Sequence, residues 1–178
     1  DTGGDGRILL HNMDALGIDP DSIDKVVISH EHGDHNGGLR SLLGVTDLST
    51  VYRPREDPDL NGVHQVVVKG PGKISEDVHT TGVLTSSVVP EQSLYLKGGD
   101  GWYVLAGCSH PGIGRILEAG KDREIKGLIG GFHGFSELSL LRDMSLICPA
   151  HCTRKKKQIL KRYPETSVVA GVGRVIEI

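Results

Sequence analysis

The stretch VVISHEHGDH, residues 26–35, decides both the fold and the chemistry expected of this sequence. An apolar run typical of a buried strand ends and is followed at once by three histidines and two acids. His30 and His32 are two residues apart, so in extended backbone their rings point to the same side and can bind one ion. Such a group of ionisable residues at a strand end predicts a metal site.

Asp34 and His35 follow across Gly33, which allows the chain to turn and direct both side chains to a second position. Imidazole and carboxylate suit zinc, and iron or manganese would fit too. Glu31 points away from this side and is not expected to be a ligand. Asp1 is a candidate acceptor of a hydrogen bond from a ligand histidine, although a turn role is the simpler interpretation of its spacing.

The composition narrows the class of protein. The chain has 178 residues, which predicts one domain spanning residues 1–178. A net charge of -3 and an aromatic content of 4% argue against a nucleic-acid partner, so a small-molecule substrate is expected. Three cysteines make no disulfide framework, which favours a reducing, cytoplasmic location. No stretch has the pattern of a membrane span or a signal peptide.

The second half repeats an order of strand, histidine-containing loop and helix. His110, His133 and His151 each follow a predicted strand, in the runs WYVLAG, IKGLIGG and SLICPAH. This layout places strand ends on one rim, where distant side chains converge. We therefore predict that His110 and His151 are metal ligands. His133 is predicted to be either a ligand or a residue that contacts substrate.

Other local patterns predict further elements. Residues 6–17 predict a helix that stops at a glycine, and residues 93–107 predict a β-hairpin. Residues 70–82 predict irregular structure, and SELSLLRDM, residues 136–144, predicts a helix. The last two apolar runs, SVVAG and RVIEI, predict strands.

Some residues near these histidines have simple alternative interpretations. Cys108 and Cys152 could bind zinc, but packing is the more common role of such residues. Thr153 is most simply a helix cap. The basic run at residues 154–162 is most simply a solvated helix face, although it could attract a phosphorylated substrate.

The motifs DTGG, HEHGDH, GCSH and CPAHC, in that order, resemble the metallo-β-lactamase superfamily. The resemblance implies an α/β (α+β) fold, an αββα sandwich with a dinuclear metal site at one edge. Its implied ligands are His30, His32 and His110 for the first ion. Asp34, His35 and His151 are the implied ligands of the second ion.

The runs EQSLYL, LAGCSHPGI, IGGFH and PAHCT are similar to a group within that superfamily. Its members are called dihydropterin ribofuranosylaminobenzene 5′-phosphate synthases or metal-dependent hydrolases. Gly131 stands where the usual member has an acid bridging both metals, so a water or His133 would take that place. The strands that usually precede DTG are absent, and we expect an additional N-terminal segment or a partner copy to complete the sheet.

The sequence thus predicts a metal-dependent hydrolase with two divalent ions, most suitably zinc. A metal-bound hydroxide would attack a small, phosphorylated or heterocyclic substrate, with Asp34 orienting it. The first alternative is the condensing synthase that the similar group implies. The second is a metal-binding scaffold without activity.

Overall fold

The structure, a computed structural model, describes residues 1–178. It has a mixed α/β architecture with nine β-strands in two sheets and five short α-helices. The chain divides into two compact units, Asp1–Lys69 (unit 1) and Gly70–Ile178 (unit 2), and each is described by itself. None of the helices combines the length and apolar character that crossing a membrane requires.

Unit 1 holds a small parallel sheet in the order β1-β2-β3 together with three helices. Its elements are α1 (Gly6–Ala15), β1 (Lys25–Val27), α2 (Gly33–Asn36), α3 (Leu39–Leu43), β2 (Thr50–Arg53) and β3 (His64–Val67), with a 3-10 turn at Pro20–Ser22. The predicted first helix is confirmed. The Asp5 side chain caps its start, and Gly17, at φ 66°, follows its end.

The core of unit 1 lies between the parallel strands and the helices. Ile28 and Val51 are completely buried, and Met13 and Leu42 pack in the same cluster. This packing fixes the end of β1, because Ile28 directly precedes the histidine-rich stretch. Burial of such apolar side chains stabilises a fold by about 1.5–3 kcal/mol each.

Unit 2 holds a six-stranded sheet in the order β4-β5-β6-β7-β8-β9. Its elements are β4 (Gly72–Ser75), β5 (Val78–Thr80), β6 (Leu94–Lys97), β7 (Trp102–Ala106), α4 (Ile113–Ala119), β8 (Ile125–Gly131), β9 (Leu146–Ala150) and α5 (Lys156–Arg162), with a 3-10 turn at Leu138–Leu141. Strands β4 to β7 are antiparallel neighbours, whereas β7, β8 and β9 are parallel. The carboxyl ends of β7, β8 and β9 therefore lie at one edge of the sheet.

The core of unit 2 joins this sheet to α4 and α5. Ile116 and Ile159 from the helices, and Leu128 and Ile147 from the strands, are completely buried. Tyr95 on β6 is 1% exposed, and its hydroxyl donates a hydrogen bond to the carbonyl oxygen of Ile116 over 2.7 Å. Burial raises the pKa of Tyr95 to about 12.

Some of the predicted strands and helices are confirmed, and others are wrong. The hairpin of β6 and β7 is confirmed, and so are the strands β8 and β9. The prediction of irregular structure at residues 70–82 is wrong, because β4 and β5 pair there as antiparallel strands at the sheet edge. The predicted helix at residues 136–144 is only the 3-10 turn, and the hydroxyl of Tyr163 donates to the carbonyl oxygen of Leu138 within it.

The predicted strands at the end of the chain are wrong. Only one bridge, between Ile147 and Ser167, extends the sheet beyond β9. Beyond it, Val169, Val172 and Val175 are exposed, so these apolar side chains cover no sheet face. Apolar pattern alone does not make a strand where pairing ends.

Candidate metal centre

Two ring nitrogens meet just beyond the end of β1. The Nε2 of His30 lies 3.1 Å from the Nδ1 of His32, and the two rings are arranged edge to face. His30 is completely buried whereas His32 is exposed. The alternation expected of extended backbone therefore brings both rings to one side, as the spacing predicts.

A second pair of ligand atoms lies beside the first. Asp34 and His35 belong to α2, which begins at Gly33. The Asp34 carboxylate lies 3.7 Å from the Nε2 of His35. The ring of His35 is 4.1 Å, centre to centre, from that of His30, so the two pairs are neighbours within unit 1.

The carboxylate of Asp1 orients these histidines. It accepts the Nδ1 proton of His35 over 2.6 Å and two hydrogen bonds from Ser29, one from the amide over 2.6 Å and one from the hydroxyl over 2.8 Å. The Ser29 hydroxyl also contacts the Nδ1 of His30 over 2.9 Å. The amide of Thr2 donates to the carbonyl oxygen of His35 over 2.7 Å and so fixes the DTGG loop here. Asp1 thus contacts His35 directly and His30 through Ser29. Ser29 was not among the predicted site residues.

Glu31 faces away from the ligand atoms, in agreement with the alternation. Its carboxylate accepts hydrogen bonds from the Arg53 guanidinium over 2.7 and 3.2 Å and from the Asn36 amide over 3.0 Å. Arg53 is 3% exposed, so this ion pair is largely removed from water. The pair ties the histidine-rich loop to β2 and gives Glu31 a structural role.

In unit 2, Glu91, the first residue of the run EQSLYL, is a buried carboxylate that holds the loop after β7. Glu91 is 1% exposed and accepts backbone hydrogen bonds from Cys108 and Ser109 over 2.8 Å each and from His110 over 2.9 Å. The Glu91 carboxylate also contacts the Nδ1 of His110 at 2.7 Å. When Nδ1–H donates a hydrogen bond to a carboxylate, Nε2 carries the lone pair that can bind a metal ion. This arrangement is usual for metal-bound histidine.

The histidine loops of unit 2 have unusual backbones. Ser109, His133 and His151 are the three residues other than glycine with positive φ, at 63°, 40° and 40°. This region is costly for residues with a side chain and occurs mainly where surrounding contacts impose it. The Ser109 hydroxyl donates to the carbonyl of Gly131 over 2.7 Å, and the amide of Arg154 donates to the carbonyl of His133 over 3.0 Å. The strained positions thus coincide with the loops that carry the predicted site residues.

A cleft of about 490 Å³ opens beside two of these histidines. The rings of His110 and His133 lie 5.1 Å apart in it. Apolar and charged side chains share the remaining wall, which includes Phe132, Phe135, Arg115 and Glu137. Its size is within the range of pockets that hold small ligands.

Two sulfur atoms meet beyond the ends of β7 and β9. The Sγ atoms of Cys108 and Cys152 are 3.2 Å apart, and together with His151 they could hold an ion. A Cβ atom at Gly131 would lie 2.2 Å from the carbonyl oxygen of Gly107 and 2.9 Å from the Cys152 sulfur. No acidic side chain fits at residue 131 without a shift of backbone.

The prediction that Thr153 caps the following helix is wrong. Helix α5 begins at Lys156. The Thr153 hydroxyl instead accepts a hydrogen bond from the amide of Phe132 over 2.9 Å and donates to the carbonyl of Ala150 over 2.6 Å. It therefore joins the ends of β8 and β9.

The donor set fits divalent metal ions. Neutral imidazole nitrogens and a carboxylate oxygen are ligands of zinc, iron and manganese. In each unit a buried or half-buried carboxylate is hydrogen-bonded to the Nδ1 of a candidate ligand. Asp1 contacts His35 in this way, and Glu91 contacts His110. Such orienting carboxylates are typical of metal-binding histidines.

Comparison with known proteins identifies the family. A family model described as the metallo-beta-lactamase superfamily matches residues 1–121. The chain belongs to this superfamily. The superfamily resemblance of the motifs is thereby confirmed, and with it the mixed α/β fold class.

Two curated relatives differ in their names. A 7,8-dihydropterin-6-methyl-4-(beta-D-ribofuranosyl)-aminobenzene-5'-phosphate synthase of Methanocaldococcus jannaschii is 24% identical, over 95% of this chain and 80% of that protein. A hydroxyacylglutathione hydrolase of Serratia proteamaculans is 30% identical, over 83% of this chain and 54% of that protein. One superfamily relative is therefore named as a synthase and the other as a hydrolase.

Two solved structures share the fold. A metal-dependent hydrolase of the beta-lactamase superfamily superposes with a TM-score of 0.78 at 25% identity, over 100% of this chain and 87% of that one. The metallo-beta-lactamase fold protein YhfI from Bacillus subtilis gives a TM-score of 0.65 at 14% identity, over 93% of this chain and 81% of that one. At that identity the second likeness supports the fold alone.

Proposed function

We propose that this protein is a metal-dependent hydrolase that uses two divalent ions on a small, phosphorylated or heterocyclic substrate. The observation that carries the proposal is the pairing of ligand atoms in unit 1. His30 and His32 direct nitrogens to one point, and Asp34 and His35 form a second pair beside them. Superfamily membership supports divalent metal binding in general.

The proposed ligand assignment follows the superfamily resemblance. Unit 1 supplies His30 and His32 to the first ion and Asp34 and His35 to the second. His110 and His151 complete the two sets in this proposal. Zinc suits these donors best, and iron or manganese would also bind them.

Asp1 and Glu91 have an orienting role in this scheme. Each carboxylate holds the Nδ1 proton of a histidine and so fixes the ring and its tautomer. Their negative charge also makes the Nε2 atom of each histidine more basic and so a stronger metal ligand.

When bound, two such ions lower the pKa of a coordinated water towards about 7 and stabilise negative charge on the substrate. Asp34, which is half exposed, accepts a hydrogen bond from the attacking water and orients it. The substrate occupies the cleft of unit 2. There the half-buried Phe135 supplies apolar surface, and His133 supplies a polar contact to the reacting group.

The second candidate is a condensing synthase, which the name of the Methanocaldococcus relative favours. In that reaction the same ions would stabilise a diphosphate leaving group, and the cleft would have to accept two ring systems. The third candidate, a scaffold without turnover, would have its metal positions closed by protein ligands.

The test compares zinc-loaded wild-type protein with an Asp34→Ala variant prepared in the same way. The substrates are a phosphodiester, a thioester of glutathione, and a pterin with an aminobenzene ribosyl phosphate. Turnover of an ester by the wild type, lost in the variant, supports hydrolysis. Condensation without ester cleavage supports the synthase, and metal binding without either reaction supports the scaffold; both results contradict the proposed hydrolase.

A further inference from the structure

Two cysteines meet across the end of a strand that separates them. Cys108 follows β7 and Cys152 follows β9, while β8 lies between those strands. Strands two positions apart in a sheet are roughly 9.6 Å from one another. Their sulfur atoms are nevertheless only 3.2 Å apart, so the two loops converge beyond the end of β8.

Gly131, the last residue of β8, makes this approach possible. A Cβ atom there would lie 2.9 Å from the Cys152 sulfur and 3.1 Å from the Cα of Cys108. Any side chain at residue 131 would therefore separate the two loops. The third cysteine, Cys148, is buried within β9 and makes no such pair, and burial raises the pKa of its thiol.

We propose that Cys108 and Cys152 are a modification site, a dithiol that hydroperoxides oxidise reversibly to a disulfide. Cys152 is half-buried and can be reached by a small oxidant, whereas Cys108 is 3% exposed. The Cys152 sulfur attacks a peroxide oxygen, the O–O bond breaks, and a sulfenic acid forms with release of water or alcohol. The Cys108 sulfur then attacks that sulfenic sulfur, the S–S bond forms, and a second water leaves with the Cys108 proton.

In the overall reaction, two thiols and one peroxide give one disulfide and one water, together with a second water from hydrogen peroxide or an alcohol from an organic hydroperoxide. A small dithiol reverses the step by thiol–disulfide exchange and becomes the oxidised partner. The adjacent Cys108 excludes over-oxidation, because the sulfenic acid is consumed as it forms.

The disulfide would act on the loops that carry His110 and His151. Cys152 follows His151 directly, and the amide of Cys108 shares the Glu91 carboxylate with His110. Closing the bond draws the sulfurs together by roughly 1 Å, which shifts the backbone beside both histidines. Oxidised protein should therefore retain less metal, a consequence that rests on the proposed function.

Mass spectrometry tests the site independently of metal and activity. Folded protein is treated with hydrogen peroxide, before and after chelation, and its remaining thiols are alkylated. We expect the loss of two hydrogen atoms and a cross-linked Cys108–Cys152 peptide in the wild type and in Cys148→Ser, reversed by dithiothreitol. The Cys152→Ser variant should form no such species. Full alkylation at Cys108 and Cys152 after peroxide, or sulfinic acid at Cys152 with Cys108 still alkylated, would overturn the proposal.

Elemental analysis of the oxidised and reduced wild type separates the two claims. A cross-link with lowered metal retention supports the site and its effect on the loops. A cross-link with equal retention overturns that effect and leaves the proposed hydrolase intact. No metal in either state contradicts the proposed function, while the cross-link still supports the dithiol.

Discussion

The Glu91→Gln variant probes the buried carboxylate that orients His110. Each oxygen of Glu91 accepts two hydrogen bonds, one from Cys108 and Ser109, the other from the two nitrogens of His110. An amide keeps one oxygen and replaces the other by a donor, so two of the four donors face an NH₂ group. The His110 ring can change tautomer and accept from this NH₂ group, but the His110 amide loses its acceptor. An unsatisfied buried donor costs about 1–3 kcal/mol, so the variant should lose about that much unfolding free energy.

The assay is urea unfolding of metal-free protein, followed by competition with a chelator. The orienting carboxylate is also expected to be worth about 10–100-fold in metal affinity. The matched control is Glu118→Gln, because Glu118 lies on the surface of α4 and its side chain is 71% exposed. Its unfolding free energy should change by no more than about 0.5 kcal/mol. Equal unfolding midpoints for the two variants would refute the role given to Glu91.

Three further predictions concern separate parts of the molecule. Gly131→Ala should lower the unfolding free energy by about 1–3 kcal/mol in a urea melt, because its Cβ would meet backbone at 2.2 Å. Gly134→Ala, where nothing lies within 4 Å, is the control, and an equal effect of both would contradict the steric argument. Asp1→Asn should weaken zinc binding about 10–100-fold by chelator competition, and unchanged affinity would exclude its orienting role. Tyr95→Phe should cost about 1 kcal/mol at pH 8, the net worth of one hydrogen bond. Because burial raises the Tyr95 pKa from 10.0 to about 12, its contribution is complete below pH 10 and is lost as the pH rises towards 12. Between pH 8 and pH 11 the wild type should therefore lose about 1.4 kcal/mol relative to Tyr95→Phe in urea melts, so that the variant becomes the more stable protein by about 0.4 kcal/mol. A constant gap would contradict the shift.

The residues of the candidate site were predictable where local spacing determined direction. Side chains two residues apart in an extended chain point to the same side. The pairing of His30 with His32 follows from that rule. Gly33 allowed the turn into α2, which brings Asp34 beside His35. The hairpin of β6 and β7 was equally local, because a glycine-rich turn joins two apolar runs.

What the sequence could not give depends on contacts between distant residues. Glu91 opens the run EQSLYL, but that run does not reveal its partner, a loop 17 to 19 residues away. Asp1 reaches Ser29 and His35 only because the folded loop brings them together. The pairing of β4 with β5 depends on an existing sheet edge, so the local composition of residues 70–82 does not reveal these strands.

Metal content per chain tests the central claim most directly. Elemental analysis is run on wild type and on Asp34→Ala, both purified without added metal and then saturated with zinc and desalted. The dinuclear account predicts about two ions in the wild type and about one in the variant, with both proteins equally folded. Equal metal content in the two proteins, or none in the wild type, would contradict it.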